Sequence, residues 1–334
     1  PNVTATNPSD TKLVVCETKA GNAVIKIEAK FTPNSADVKD RVRWKVEGDK
    51  AEPPSGNFSE DAPTVTLTPF GNNREFVVKV GYDANDNNTL DSIEATHTIT
   101  VDVLKVEKLT VMDDAHLNVA ATNPSDTKLV VCETEINNAT IKIKAEFSPE
   151  NYETKKRVLW KVEGDKAEPA KGDFIKGVPT VTLTPTGGNR TFTVKLGGDA
   201  NANGTLEDDG EVTQTITVDV LKVEKLTVSD KAHPNVTKSN QPDTKLVVCE
   251  TKNGNATIEI EAQFSPDNAD TQPRTRWKVE CDGAVLSNGN FDEGVQTVTL
   301  TPTGDNRTFT VKIGGDVDAN GILDDDEDEV THEM

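Results

Sequence analysis

The chain has 334 residues, a formal net charge of −21, 34% hydrophobic residues and 4% aromatic residues. No cluster of Lys and Arg is dense enough to track a phosphate backbone, which makes nucleic acid and anionic membrane poor partners. No apolar run approaches the roughly 20 residues of a membrane span, so membrane insertion is excluded. The carboxylate excess has two readings, a self-repelling soluble surface or, where acids cluster, cation binding.

From the amino end, the first β-prone run is Leu13–Thr18, reading Leu-Val-Val-Cys-Glu-Thr. It returns as Leu129–Thr134 and Leu246–Thr251. Trp44, Trp160 and Trp277 each stand 28 residues after the cysteine of that run. Phe31, Phe147 and Phe264 form a further triplet, as do Phe58, Phe174 and Phe291, and Phe76, Phe192 and Phe309. A period of 116–117 residues is long enough for each copy to close its own core. Three domains are therefore expected, 1–104, 105–221 and 222–334.

In the middle copy Val106–Val111 and Lys128–Cys132 are short β-prone runs. Ala139–Phe147 alternates apolar and polar residues, the pattern of a half-buried strand. Arg157–Val162 follows the turn at Ser148-Pro149, with Val158, Trp160 and Val162 sharing one face. Burying a ring such as Trp160 removes roughly 150–250 Å² from water, so it reads as core. Thr180–Thr184 and Thr191–Leu196 come next, separated by the turn-rich 185–189. A long strand from Val212 to Val223 runs into the next copy. No window of ten or more residues carries a helical period, and about seven short strands per copy argue for antiparallel β-sandwiches. The fold class expected is thus all-β.

These strands, the Trp on the third or fourth of them, and the Val-x-x-Leu-x-Val opening at Val106–Val111 and Val223–Val228 resemble bacterial immunoglobulin-like repeats. Such repeats build the stalks of large surface adhesins. The resemblance implies three tandem immunoglobulin-like sandwiches in an extracellular, non-catalytic structural or adhesive stalk. The partners would be neighbouring repeats, copies of the chain itself or an unidentified surface ligand. The chain departs from the antibody pattern in having no Cys…Trp…Cys pair to bridge the sheets.

Each copy places an acidic, Asn- and Gly-rich loop between its last two strands. The loops resemble the calcium loop of EF-hands and dockerin-like repeats, which takes oxygen ligands at positions 1, 3, 5, 7 and 9 and an acid at 12. In the first copy these are Asp83, Asn85, Asn87, Thr89, Asp91 and Glu94. In the third they are Asp316, Asp318, Asn320, Ile322, Asp324 and Glu327. The second offers Asp199, Asn201, Asn203, Thr205 and Glu207, but Gly210 holds position 12 and leaves Asp209 or Glu211 to close the shell. At the turn, position 6 is Gly204 or Gly321, or Asn88, which tolerates a left-handed backbone. The expected cofactor is Ca²⁺, about one ion per copy. With no helices flanking the loop, the ion would clamp rather than switch. In the implied topology each loop lies near the joint with the preceding copy.

Other signals carry less. Cys16, Cys132 and Cys249 read as inert thiols buried in strands, and a Cys249–Cys281 bridge is open to the third copy alone. His97, His116, His233 and His332 lack metal-ligand spacing, and no catalytic set recurs, so an enzyme is not expected. The sequons at Asn138, Asn189, Asn255 and Asn306 are ordinary in a chain rich in Asn and Thr. Tyr82, Tyr152 and Phe70 are too few to form a carbohydrate platform. Pro1–Thr4 matches Pro234–Thr237, and Met334 aligns with Ile216, so the array lacks an equivalent of 217–233. The first copy would miss its opening strand and the third part of its closing one. That arrangement motivates the alternative of a filament or surface-layer subunit assembling by strand exchange.

Overall fold

Two strands of 17 residues each, His97–Asp113 and Gln214–Asp230, organise the architecture. Both are rich in Val, Thr, Ile and Leu and free of Gly and Pro, a composition that holds an extended backbone over such a length. The structure is a computed structural model and describes residues 4–6, 10–58, 62–91, 97–134, 136–206, 214–239, 246–281, 284–302, 308–323 and 332–333. It is all-β, apart from the one-turn helices Ala36–Lys39 and Tyr152–Lys155 and a 3-10 turn at Gln272–Arg274. The described strands form four sheets of nine, eight, four and three strands.

Around the middle copy, one sheet edge runs Lys166–Glu168, Thr180–Thr184, Ala139–Ser148 and then the second half of His97–Asp113. The other runs Lys171–Asp173, Val158–Glu163, Thr191–Gly198 and then the first half of Gln214–Asp230, which Lys128–Cys132 joins in parallel. One core lies between them. Ile141, Ile143, Val181 and Leu183 come from the first sheet, and Trp160, Val194, Ile216 and Val218 from the second. Trp160 is 2% exposed, and its indole N–H donates to the Asp173 carbonyl at 3.3 Å. Separate clusters centred on Trp44 and Trp277 occupy the equivalent places in the other copies. Antiparallel sheets with a shared apolar filling are consistent with sandwich-type packing.

The long strands change partners part-way. Leu104 pairs with Cys16 of the first copy, whereas Lys105 pairs with Ser148 of the second. Leu221 pairs with Cys132, and Lys222 with Ser265 of the third. Val106–Val111 is therefore the second half of a long strand rather than a short one. Within the described residues the run expected from Val212 starts at Gln214 and continues to Asp230.

Seven strands per copy was too few. Ala120–Asn123, Lys166–Glu168 and Lys171–Asp173 are additional strands in the middle copy. They are three or four residues long, too short to show a period of two, and their pairing comes from the longer neighbour. The cysteines also need correction. None of the four cysteines is in a disulfide, so no Cys249–Cys281 bridge forms, and Cys249 is exposed and outside any strand. Cys132 is buried and Cys16 half-buried, but both face a neighbouring copy rather than their own core.

Candidate metal site

Each acidic loop leaves the strand that pairs with the tryptophan strand, so its first residue is fixed by backbone. The N–H of Asp83 donates to the Arg41 carbonyl at 2.8 Å. Asp199 donates likewise to Arg157 at 2.6 Å and Asp316 to Arg274 at 2.7 Å. The three first-position side chains are buried, at 0%, 3% and 0% exposure. A carboxylate taken out of water needs donors, and the turn supplies them identically in each copy. Asp83 accepts from the N–H groups of Asn87 and Asn88 at 3.1 and 2.8 Å. Asp199 accepts from Asn203 and Gly204 at 3.2 and 3.0 Å, and Asp316 from Asn320 and Gly321 at 3.0 and 2.9 Å.

Positions 3 and 5 close the turn further. Asn85, Asn201 and Asp318 each accept from the backbone two residues on. Asn87, Asn203 and Asn320 do the same with Thr89, Thr205 and Ile322. Positions 1, 3, 5 and 7 are thus brought together in all three loops. In the first loop Asp91 folds back as well, accepting from the Ala84 N–H at 3.2 Å and from Asn85 Nδ2 at 3.3 Å. Glu94, Glu207, Asp209, Glu211, Asp324 and Glu327 lie outside the described residues. Among the described residues no three His, Cys, Asp or Glu side chains converge on one point. The donor set in each loop is all oxygen, the chemistry a hard divalent cation takes.

Two features of these loops were missed in the sequence. Position 4 is left-handed as well as position 6, with φ of 58° at Asp86, 58° at Ala202 and 60° at Ala319. Alanine gives no compositional hint of that conformation; the surrounding hydrogen bonds impose it. The other feature is an arginine on the tryptophan strand. Arg43 Nε lies 3.3 Å from Asp83 Oδ2, and Arg276 Nε 3.1 Å from Asp316 Oδ2. The middle copy has Leu159 there. Burial pushes the Asp83 carboxyl up, but the N–H groups of Asn87 and Asn88 and the Arg43 guanidinium outweigh it and hold it below the ordinary carboxylate range.

The second and third loops lie at the joint with the copy before them. Val317, at position 2 of the third loop, packs on Val130, Cys132 and Leu221. Asn118 Nδ2 donates to the Asp318 carbonyl at 2.7 Å, and Arg274 Nη1 to the Val130 carbonyl at 3.1 Å. Gly198, immediately before Asp199, sits against Cys16.

No protein-family model matches the chain, and no curated protein matches it. Among the solved structures similar to it at a low level are the following two. One is extracellular domains 3–5 of Drosophila OTK, at 10% identity and a TM-score of 0.26, covering 96% of this chain and 93% of that one. The other is Salmonella alpha-2-macroglobulin reacted with methylamine, at 9% identity and a TM-score of 0.19, covering 96% of this chain and 22% of that one. Likenesses of this size carry no argument about function. No helix among the described residues is long and apolar enough to cross a membrane.

Proposed function

We propose that the chain is a non-catalytic, extracellular structural or adhesive stalk. It is read as three tandem immunoglobulin-like sandwiches, divided at 104/105 and 221/222, with each acidic loop binding one Ca²⁺. The observation that carries this reading is the pair of 17-residue strands shared between copies. A strand that changes partners between adjacent residues leaves no linker, so neighbouring copies are held by sheet hydrogen bonding rather than by a tether.

Calcium fits the loops on the chemistry of their donors. The first-position aspartates and the side-chain oxygens at positions 3 and 5 would contribute ligands, with the acids at and near positions 9 and 12 completing the set. Bound there, the ion would supply positive charge to a buried carboxylate next to a joint. At 100-fold excess over its dissociation constant, one ion stabilises its domain by about 2.7 kcal/mol. The test is a thermal melt of the full chain in calcium and in chelator, with small-angle scattering on the same samples. A calcium-dependent rise in Tm, and particles that loosen in chelator, are expected. An unchanged melt in both buffers would reduce the loops to polar turns and remove calcium from the proposal.

A further inference from the structure

The edge run carrying each cysteine alternates. Leu13 and Val15 pack on the first copy's core, and Leu246 and Val248 on the third's. Val and Cys therefore point the other way, as a period of two requires. In two copies the next copy covers that outward pair. Val14 is 6% exposed and Val130 is 7% exposed. In the third copy Val247 is 77% exposed and Cys249 is exposed with it.

The covering surface is the same at both joints. A Cβ placed on Gly198 would lie 2.8 Å from Cys16 Sγ, and one on Gly315 2.7 Å from Cys132 Sγ. Real Cβ atoms do not approach that closely, so any side chain in place of either glycine would displace the cysteine Sγ from its seat. Beside it, Asn151 Nδ2 donates to Asp102 of the preceding copy at 2.9 Å, and Asn268 Nδ2 to Asp219 at 2.9 Å. The first copy departs from this face at both points. Tyr82 stands where Gly198 and Gly315 stand, and Ser35 where Asn151 and Asn268 stand. The Arg41 guanidinium lies 5.3 Å from the Tyr82 ring centroid, over the ring.

We infer that the outward Val247–Cys249 edge is a docking surface for a repeat of this same kind whose face carries glycine at the Gly198/Gly315 position, and that Tyr82 excludes the first copy of another chain from that role. Continuity with two joints of identical chemistry identifies the occupant. The inference rests on the packing of the joints and not on calcium.

The test extends the full chain directly at Met334 with a second copy of residues 217–334, in register with the repeat. The cysteines of the added copy are changed to serine, so peptide-resolved alkylation reads the original Cys249. Labelling of Cys249 should slow by about tenfold or more relative to the unextended chain. It should not slow when the added copy carries Gly315→Tyr. Equal slowing in both, or none in either, overturns the inference. A smaller change guards against misfolding of the tyrosine variant. Gly198→Ala in the unextended chain should speed Cys16 labelling while Cys132 stays slow, and unchanged Cys16 labelling would also overturn it. The unextended chain should sediment as a monomer, because an open-ended ladder would mean that Tyr82 bars nothing.

Discussion

Replacing Arg276 by leucine should tighten calcium binding by the third loop. The substitution copies Leu159 of the middle copy, which tolerates leucine at 8% exposure in the equivalent strand. Arg276 Nε lies 3.1 Å from Asp316 Oδ2. Calcium sits ~2.3–2.6 Å from its ligand oxygens, so an ion bound to that oxygen is no farther than about 5.7 Å from Arg276 Nε. Charges of +2 and +1 at that separation repel by about 1.5 kcal/mol even at the dielectric constant of water. That corresponds to roughly a tenfold gain in affinity when the arginine is removed. Isothermal titration of the wild-type chain and Arg276→Leu, with Asp316→Asn to identify the third site, measures the difference. An affinity unchanged or weakened by Arg276→Leu would refute the counter-charge reasoning. Absence of any calcium heat in the wild-type chain would instead remove the site itself.

Two further outcomes follow from packing and charge. A Cβ on Gly172 would meet Trp160 Cζ2 at 2.9 Å, whereas one on Gly188 would meet nothing within 4 Å. Gly172→Ala should therefore lower the urea midpoint by the equivalent of ~1–3 kcal/mol. Gly188→Ala should raise it by about 0.4–1 kcal/mol by restricting the unfolded chain. Equal effects at the two sites would contradict the packing described around the indole. The second outcome concerns acid. Lys79 and then Lys45 hold Glu47 below the ordinary carboxylate range, as Lys161 and then Lys195 do for Glu163. A carboxyl whose folded pKa is depressed contributes stability above its unfolded value, near ~4.3, and loses that contribution as pH falls through the folded value. Stability should fall on acidification below about pH 4, and Lys79→Met should flatten that dependence in urea melts. A dependence unchanged by Lys79→Met would remove the pairing as its cause.

The core was legible because each buried strand writes itself twice, once in alternation and once in repetition. Ile141 and Ile143 face inward as the pattern at Ala139–Phe147 requires, and the tryptophan of every copy fills the same place. The first four odd-numbered loop positions were legible for the same reason, since spacing alone fixes which side chains a tight turn can gather. What stayed hidden depends on neighbours distant in sequence. The three-residue strands exist because a longer strand offers them a hydrogen-bonding edge. Arg43 and Arg276 reach the loops from the tryptophan strand, 40 residues before the aspartates they meet. The cysteine run looked like domain interior because it is apolar on both faces. Its second face is apolar because another copy covers it, and a single copy's pattern does not distinguish the two causes.

The parallel pairing of Lys12–Cys16 with Thr100–Leu104 has a mechanical meaning. Pull the chain at its ends, and one strand of this pair is drawn backward while the other is drawn forward along the same line. Their hydrogen bonds lie across that pull and share it together, where a hairpin would surrender them one at a time. The middle copy repeats the device between Lys128–Cys132 and Thr217–Leu221. Because each forward-drawn strand continues without a break into the next copy, tension passes from one such pair to the next along covalent backbone.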